Sequence, residues 1–259
     1  MNESDKNGNH FVIIDRLKSL FIENQGGYSA MHDLIHGIPS PLEKGFFDRD
    51  AREVAQSLLG KMLGVHNGIE WLMARVIETE AYFEDDKASH SSLGYTEKRK
   101  ALFMPAGTIY MYYARGGDSL NFSCQGAGNA VLIKSAIPVA KNAKTQGSVK
   151  TMQQNNPHKN GSFRAVERLC SGQTLLCRSL GLKVPEWDRK QLEAGKFEVW
   201  GDAYKPEKII QTRRLGIRPD RDAQLPYRYI DFRFAPFCTK NPLRVRNFRM
   251  GEDYTILKP

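Results

Sequence analysis

Apolar positions in this chain fall into short stretches, some with helical spacing and more with strand-like alternation, separated by tight turns. Val54, Leu58 and Leu59 form an apolar stripe between Ala51 and Leu59. Asp48 or Asp50 can cap that stretch and Gly60 can close it, so a short helix is predicted there. Met62–Val65 and Ile69–Ile77 flank Asn67-Gly68, a pair that favours a two-residue hairpin turn. A polar loop follows from Phe83 to about Ala101. Thr108–Tyr113 is rich in β-branched and aromatic residues and reads as a strand. Leu120–Gln125 and Ala130–Ala136 read as two more, joined through Gly126-Ala127-Gly128-Asn129.

Lys141–Gly161 is polar and reads as a loop or a mobile helix; helices are predicted around Ala165–Leu169 and at Thr174–Leu180, the latter ended by Gly181. The last third mixes short strands and loops, punctuated by prolines. Upstream, Asp15–Glu23 carries a turn or two of amphipathic pattern, and Gly26-Gly27 and the Gly37–Pro41 stretch break it. Residues 1–40 therefore read as an N-terminal extension and 41–259 as the working domain. Strands joined by tight turns, with few strand–helix alternations, point to a mainly antiparallel α+β fold.

Composition narrows the class. With 259 residues, 41% of them hydrophobic, the chain can bury a substantial core. No stretch approaches the roughly 18 apolar residues that cross a bilayer. The apolar run Phe11–Ile14 is too short for a secretory signal, so a cytoplasmic protein is expected, with no membrane partner. The four cysteines, Cys124, Cys170, Cys177 and Cys238, form no Cys-x-x-Cys, and no histidine stands at zinc-finger spacing from them. No metal or other cofactor is expected. Net charge is +9, unevenly spread: residues 205–259 hold 13 basic and 6 acidic side chains, net +7. A phosphate backbone is one partner for such a segment and a merely soluble basic surface is the other reading.

Several residues are candidates for chemistry. At strand period, Glu78, Glu80 and Tyr82 share one face, either as a solvated strand end or as a general base held over a pocket. Tyr110 and Tyr112 share another, as half-buried sheet aromatics or as a platform for a base. If Ala127-Gly128 is the hairpin turn, Asn121 and Lys134 lie opposite each other, an amide beside an ammonium. His90 lies in the small polar loop Ala88–Ser92.

Taken in order, Leu42–Phe47, Leu58–Lys61, Arg75–Tyr82, Ser89-His90-Ser91, Thr108–Tyr112, Asn121–Gly126, Val131–Lys134, Leu169–Gly172 and Leu215–Ile217 resemble the alkyladenine (3-methyladenine) DNA glycosylase family. The resemblance implies a single compact α+β domain with a curved, open-barrel-like antiparallel sheet and flanking helices. It implies a monomeric, monofunctional glycosylase of base excision repair, without a metal, acting on double-stranded DNA. The bases released would be alkylated purines such as 3-methyladenine and 7-methylguanine, with hypoxanthine and ethenoadenine as further candidates. By matching position Glu80 would activate water, and Tyr82, His90 and Tyr112 would wall the pocket of the flipped base. Asn121 would crowd the exocyclic amine of normal guanine. Lys134 stands where the family typically has arginine, and Arg115 where a tyrosine commonly wedges into the duplex, with Tyr113 as the alternative wedge. Lys134, Arg115, Tyr113, Arg244, Arg246 and Arg249 are the residues expected to meet DNA. Competing readings are a non-catalytic nucleic-acid-binding protein, a bifunctional glycosylase/lyase using Lys134 or another lysine, and a nucleoside hydrolase. Glu80 in its motif argues against the first, and the basic 205–259 segment against the last.

Overall fold

The computed structural model describes residues 39–43, 45–114, 116–139, 143–245 and 247–259. Arg115, Arg246, the Asp15–Glu23 stretch and all but the end of the expected 1–40 extension lie outside the described residues. Ser40–Pro41 (β1) opens the described chain and pairs with Phe197–Gly201 (β7). Helix α1 (Ala51–Leu58) is capped by the Asp50 carboxylate, which accepts from Arg52 N. All three residues of its predicted stripe are buried. Gly60 follows with φ of +87°, a left-handed conformation glycine adopts without strain.

Ten strands form one curved, unclosed sheet, and every pairing between them is antiparallel. β2 (Met62–His66), β3 (Trp71–Tyr82), β4 (Ile109–Ala114), β5 (Gly117–Ser123) and β6 (Ala130–Pro138) come first in sequence, then β7, β8 (Ile209–Thr212), β9 (Arg228–Asp231) and β10 (Tyr254–Leu257). Neighbours run β1-β7-β2-β3-β6-β5-β4, with a branch β9-β8-β10 from β3. The architecture is α+β, in a single compact domain. The Asn67-Gly68 turn is longer than the sequence predicts: Asn67 Oδ1 accepts from the amides of both Ile69 and Glu70, and β3 begins only at Trp71.

β3 organises the site. One of its edges pairs with β6 over most of its length. Its other edge takes β2 along Trp71–Arg75 and β9 along Glu78–Glu80. The sheet forks between these two partners, where the β3–β6 ladder is doubly bulged. Val76 pairs with Ala136, Glu78 with Ser135 and Thr79 with Ile133, which leaves Ile77 on β3 and Lys134 on β6 without an opposite residue. The bulges reverse the alternation of both strands. Leu72, Ala74 and Val76 enter the main core upstream, and Ala81 does so downstream, where Thr79 Oγ1 also donates to Ala55 O of α1. The alternate residues of β4, β5 and β6 divide likewise. Ile109, Met111, Leu120, Phe122, Val131 and Ile133 join the core, while Tyr110, Tyr112, Asn121, Leu132 and Lys134 face a cavity.

Helices α2 (Ala143–Asn155), α3 (Gln173–Leu180) and α4 (Val184–Trp187) complete the domain, with 3-10 turns at Ser91–Leu93, Glu97–Phe103 and Val166–Arg168. Within the polar stretch read as a loop or a mobile helix, Ala143–Asn155 is helical. Val149 and Met152 reach the core from it, and Asn156 Nδ2 ties its end to Leu169 O and Ser179 Oγ. The segment read as a helix at Ala165–Leu169 is a single 3-10 turn.

Glu78 is a structural member of this fork. It has no exposed surface, and its oxygens accept from Arg228 Nε, Ser135 Oγ, Thr239 N and Thr239 Oγ1. Burial alone would raise its pKa. The Arg228 charge and the hydrogen bonds outweigh that and hold the carboxyl below its ordinary value. A solvated strand end is thereby excluded. Glu78→Gln strands a buried guanidinium and is expected to cost on the order of 3–5 kcal/mol. Because the folded carboxyl titrates below its unfolded value, its contribution is present above about pH 4.5 and fades as pH falls through the folded pKa. Thermal melting of wild type and Glu78→Gln between pH 3 and pH 7 checks this: the gap is expected to narrow at the acid end. A gap independent of pH would contradict it.

Candidate active site

The cavity holds about 410 Å³ and lies on the face of β4, β5 and β6 turned away from the core. Its other walls are the Ala88–His90 loop, the N-terminal end of α3, the Leu215–Ile217 loop and Thr239. Seven residues singled out in the sequence converge on it: Tyr82, His90, Tyr110, Tyr112, Asn121 and Lys134 line it, and Glu80 lies directly behind three of its lining residues.

Glu80 is fully buried. Its Oε2 accepts a hydrogen bond of 2.7 Å from the Tyr82 hydroxyl. Its Oε1 has two looser neighbours, Leu215 N at 3.3 Å and Lys134 Nζ at 3.4 Å. Oε2 is therefore well satisfied, whereas Oε1 keeps capacity for another donor. All three neighbours line the cavity, so Oε1 lies just beneath its surface. Burial and the adjacent Glu80 charge push the Tyr82 phenol well above its usual range, which keeps it protonated as a donor.

The aromatic walls are built by strand period. Tyr110 and Tyr112 stack with centroids 5.4 Å apart, and the His90 ring meets Tyr112 edge-on at 4.4 Å. His90 Nδ1 lies 2.8 Å from the Tyr110 hydroxyl. Burial, then the nearby Arg99 and Arg221 charges, lower the His90 pKa, so the imidazole is neutral at pH 7. Burial and the Glu80 charge raise Tyr112 to about 12. The cavity thus presents neutral π-faces with one buried carboxylate behind them.

Asn121 sits opposite Leu132, which in turn sits opposite Glu80; Lys134 is two residues further along the strand. The predicted Asn121–Lys134 pairing is thus corrected by two positions. The hairpin centres on Gly126-Ala127 because Cys124 N bonds Asn129 O and Gly128 N is anchored on Leu102 O, outside the hairpin. A shift of two preserves the face, so both side chains still reach the cavity. Asn121 Nδ2 donates to Tyr110 O at 3.0 Å, and the Lys134 ammonium turns to Glu80.

The other described residues expected to meet DNA, Tyr113, Arg244 and Arg249, do not line the cavity. Tyr113 is 66% exposed near the end of β4, and Arg244 and Arg249 are exposed, with Arg249 paired to Glu252. Arg115 and Arg246 are outside the described residues.

Sequence reading misses Arg214. Its guanidinium is buried, pairs with Asp86, donates to Ala81 O at 3.0 Å and lies 4.5 Å from the centroid of the Tyr82 ring. It therefore backs the tyrosine that holds Glu80. Nothing local marks it within Arg213-Arg214, and its partner stands in an acidic run far upstream. Arg228 escapes for the same reason. Both belong to the basic 205–259 segment, so part of that net charge is neutralised inside the fold. Thr239, Gln173 and Thr174 also line the cavity without a signal in the sequence. Among the described residues no cluster of His, Cys, Asp and Glu could hold a metal, and no helix is long and apolar enough to cross a membrane.

Residues 45–233 match the family described as methylpurine-DNA glycosylase. A protein of Pseudomonas syringae pv. tomato, named "Putative 3-methyladenine DNA glycosylase", is 54% identical over 220 residues, covering 85% of this chain and 98% of that one. One of Pseudomonas aeruginosa (strain UCBPP-PA14) bearing the same name is 54% identical over 217 residues, 84% of this chain and 90% of its own. A more distant one, of Koribacter versatilis, is 32% identical over 197 residues, 74% of this chain and 89% of its own. The strand that carries Glu80, the loop that carries His90 and most of the cavity wall fall within the matched span, and the chain belongs to the methylpurine-DNA glycosylase family of DNA N-glycosylases.

Proposed function

We propose that the protein draws a damaged purine out of double-stranded DNA into the Tyr82–His90–Tyr112 cavity, where water activated by Glu80 hydrolyses the N-glycosidic bond. The observation that carries this reading is the buried Glu80 carboxylate, one oxygen bound tightly by Tyr82 and the other only loosely engaged. A purine alkylated at N3 or N7 already bears positive charge and leaves C1′ readily. The protein needs chiefly to extrude it, stack it and supply a poised water. Stacking contributes on the order of 1–3 kcal/mol per base, and a cationic base gains further against tyrosine faces. As the bond lengthens the sugar becomes oxocarbenium-like. Glu80 stabilises that charge and takes the proton of the incoming water through Oε1, while Tyr82 holds Oε2 in place. Leu215 N and Lys134 Nζ, both at long range from Oε1, leave room for that water once the sugar arrives. 3-Methyladenine and 7-methylguanine fit this chemistry most directly, and hypoxanthine and ethenoadenine are the further substrates to test.

Glu80→Gln preserves shape but removes proton acceptance. Single-turnover base release is expected to fall by about 10² to 10⁴, with lesion-duplex binding retained. Near-normal excision would overturn the assignment.

Asn121 touches the cavity with its amide nitrogen committed to Tyr110 O. It is proposed to exclude the exocyclic amine of unmodified guanine. Asn121→Ser should raise release of normal guanine relative to alkylated adenine. An unchanged ratio would leave Asn121 as a cross-strand link only.

Arg244 and Arg249 are proposed to bind backbone phosphates. Replacing both with alanine should weaken binding of damaged and undamaged duplexes equally. The slope of log K against log[salt] should flatten by about 0.9 for each phosphate no longer neutralised. A salt slope equal to that of wild type would remove them from the interface.

A further inference from the structure

We propose that Lys134 gives this protein a second activity, an abasic-site lyase step in which its amine condenses with the sugar aldehyde left behind by base release. The inference rests on the excision reading above, which brings the sugar C1′ to Glu80. Lys134 supplies the only primary amine among the described residues lining the cavity. The β6 bulge leaves it without an opposite residue on β3, and its side chain is 13% exposed, reaching from the cavity wall to 3.4 Å from Glu80 Oε1. An amine and a carboxylate at the place where C1′ is attacked are the two groups that imine formation and β-elimination require.

The steps balance without an oxidant or reductant. Glu80 takes a proton from the Lys134 ammonium, and the free amine adds to the C1′ aldehyde of the ring-opened sugar. The hydroxyl so formed takes that proton back from Glu80 and leaves as water, giving an iminium between Nζ and C1′. Glu80, ionised again, removes a proton from C2′. The electron pair moves into the C1′–C2′ bond as the iminium nitrogen accepts charge, then expels the C3′ oxygen together with its phosphate. The downstream strand departs with a 5′-phosphate. Water hydrolyses the remaining iminium, freeing Lys134 and an unsaturated aldehyde on the upstream strand. An arginine at this position would carry the same charge but neither lose its proton nor form the imine.

The test uses the full-length protein and a duplex with a preformed abasic site, in the presence of sodium borohydride, which reduces an iminium to a stable amine. Wild type is expected to give a one-to-one covalent adduct whose peptide map places the link on Lys134. Lys134→Arg should give none, and Glu80→Gln, which lacks the group that takes the ammonium proton and later the C2′ proton, should be trapped far more slowly than wild type and lose strand cleavage without borohydride. Absence of an adduct with wild type, a link mapped to another amine, or undiminished trapping of Lys134→Arg would each overturn the proposal. If Lys134→Arg does not fold, as judged by melting, the wild-type peptide map decides alone. Base release from alkylated duplex, measured in parallel, separates the two readings. Excision without trapping overturns only the lyase step, and trapping without excision overturns the glycosylase reading instead.

Discussion

Burying a carboxylate inside a β-sheet costs several kcal/mol unless donors meet its oxygens, and a lone buried charge otherwise takes up a proton. The architecture around Glu80 answers that constraint. The double bulge between β3 and β6 reverses strand alternation just before Glu80 and leaves Lys134 free to turn toward it. Tyr82, two residues on along the same face, supplies the one short hydrogen bond. Arg214 and Asp86, paired behind the Tyr82 ring, set its position, and the residue after Arg214 gives Glu80 a backbone amide.

Glu78 and Glu80 are identical side chains that one strand places in unlike surroundings. Both are fully buried and both have a cationic neighbour. Both oxygens of Glu78 are occupied by an arginine at 2.7 Å and three further donors. Those hydrogen bonds join β3, β6, β9 and the Thr239 segment, so it serves as a rivet. Glu80 has one firm donor and two distant ones, and the residues that supply them line the cavity. That incomplete satisfaction at a buried oxygen is the observation on which the proposed role of Glu80 rests.

Local physics makes much of this legible. The capped helix at Ala51, the β4–β5–β6 strands, the Gly181 stop of α3 and the shared face of Tyr110 and Tyr112 all follow from periodicity and turn chemistry. Periodicity puts Asn121 and Lys134 on the right face but in the wrong register, because the hairpin centre is decided by the bond between Gly128 and Leu102, outside the hairpin. Arg214 and Arg228 cannot be singled out. Their partners Asp86 and Glu78 are far away in sequence, and a buried arginine leaves the same mark in composition as a phosphate-binding one. Glu80 itself stands out only through its neighbours; by period alone, Glu78 is an equal candidate.

The central claim is that the Glu80 carboxylate faces the positive charge that develops on the sugar. Its most direct test compares binding of two duplexes that differ only at one abasic position. One carries a neutral tetrahydrofuran sugar analogue, the other a pyrrolidine analogue of similar shape that is cationic at neutral pH. Wild type is expected to bind the cationic duplex more tightly, and Glu80→Gln to lose that preference while still binding the neutral one. Equal preference in both proteins would contradict the claim, because the charge on the sugar would then be felt by some group other than Glu80.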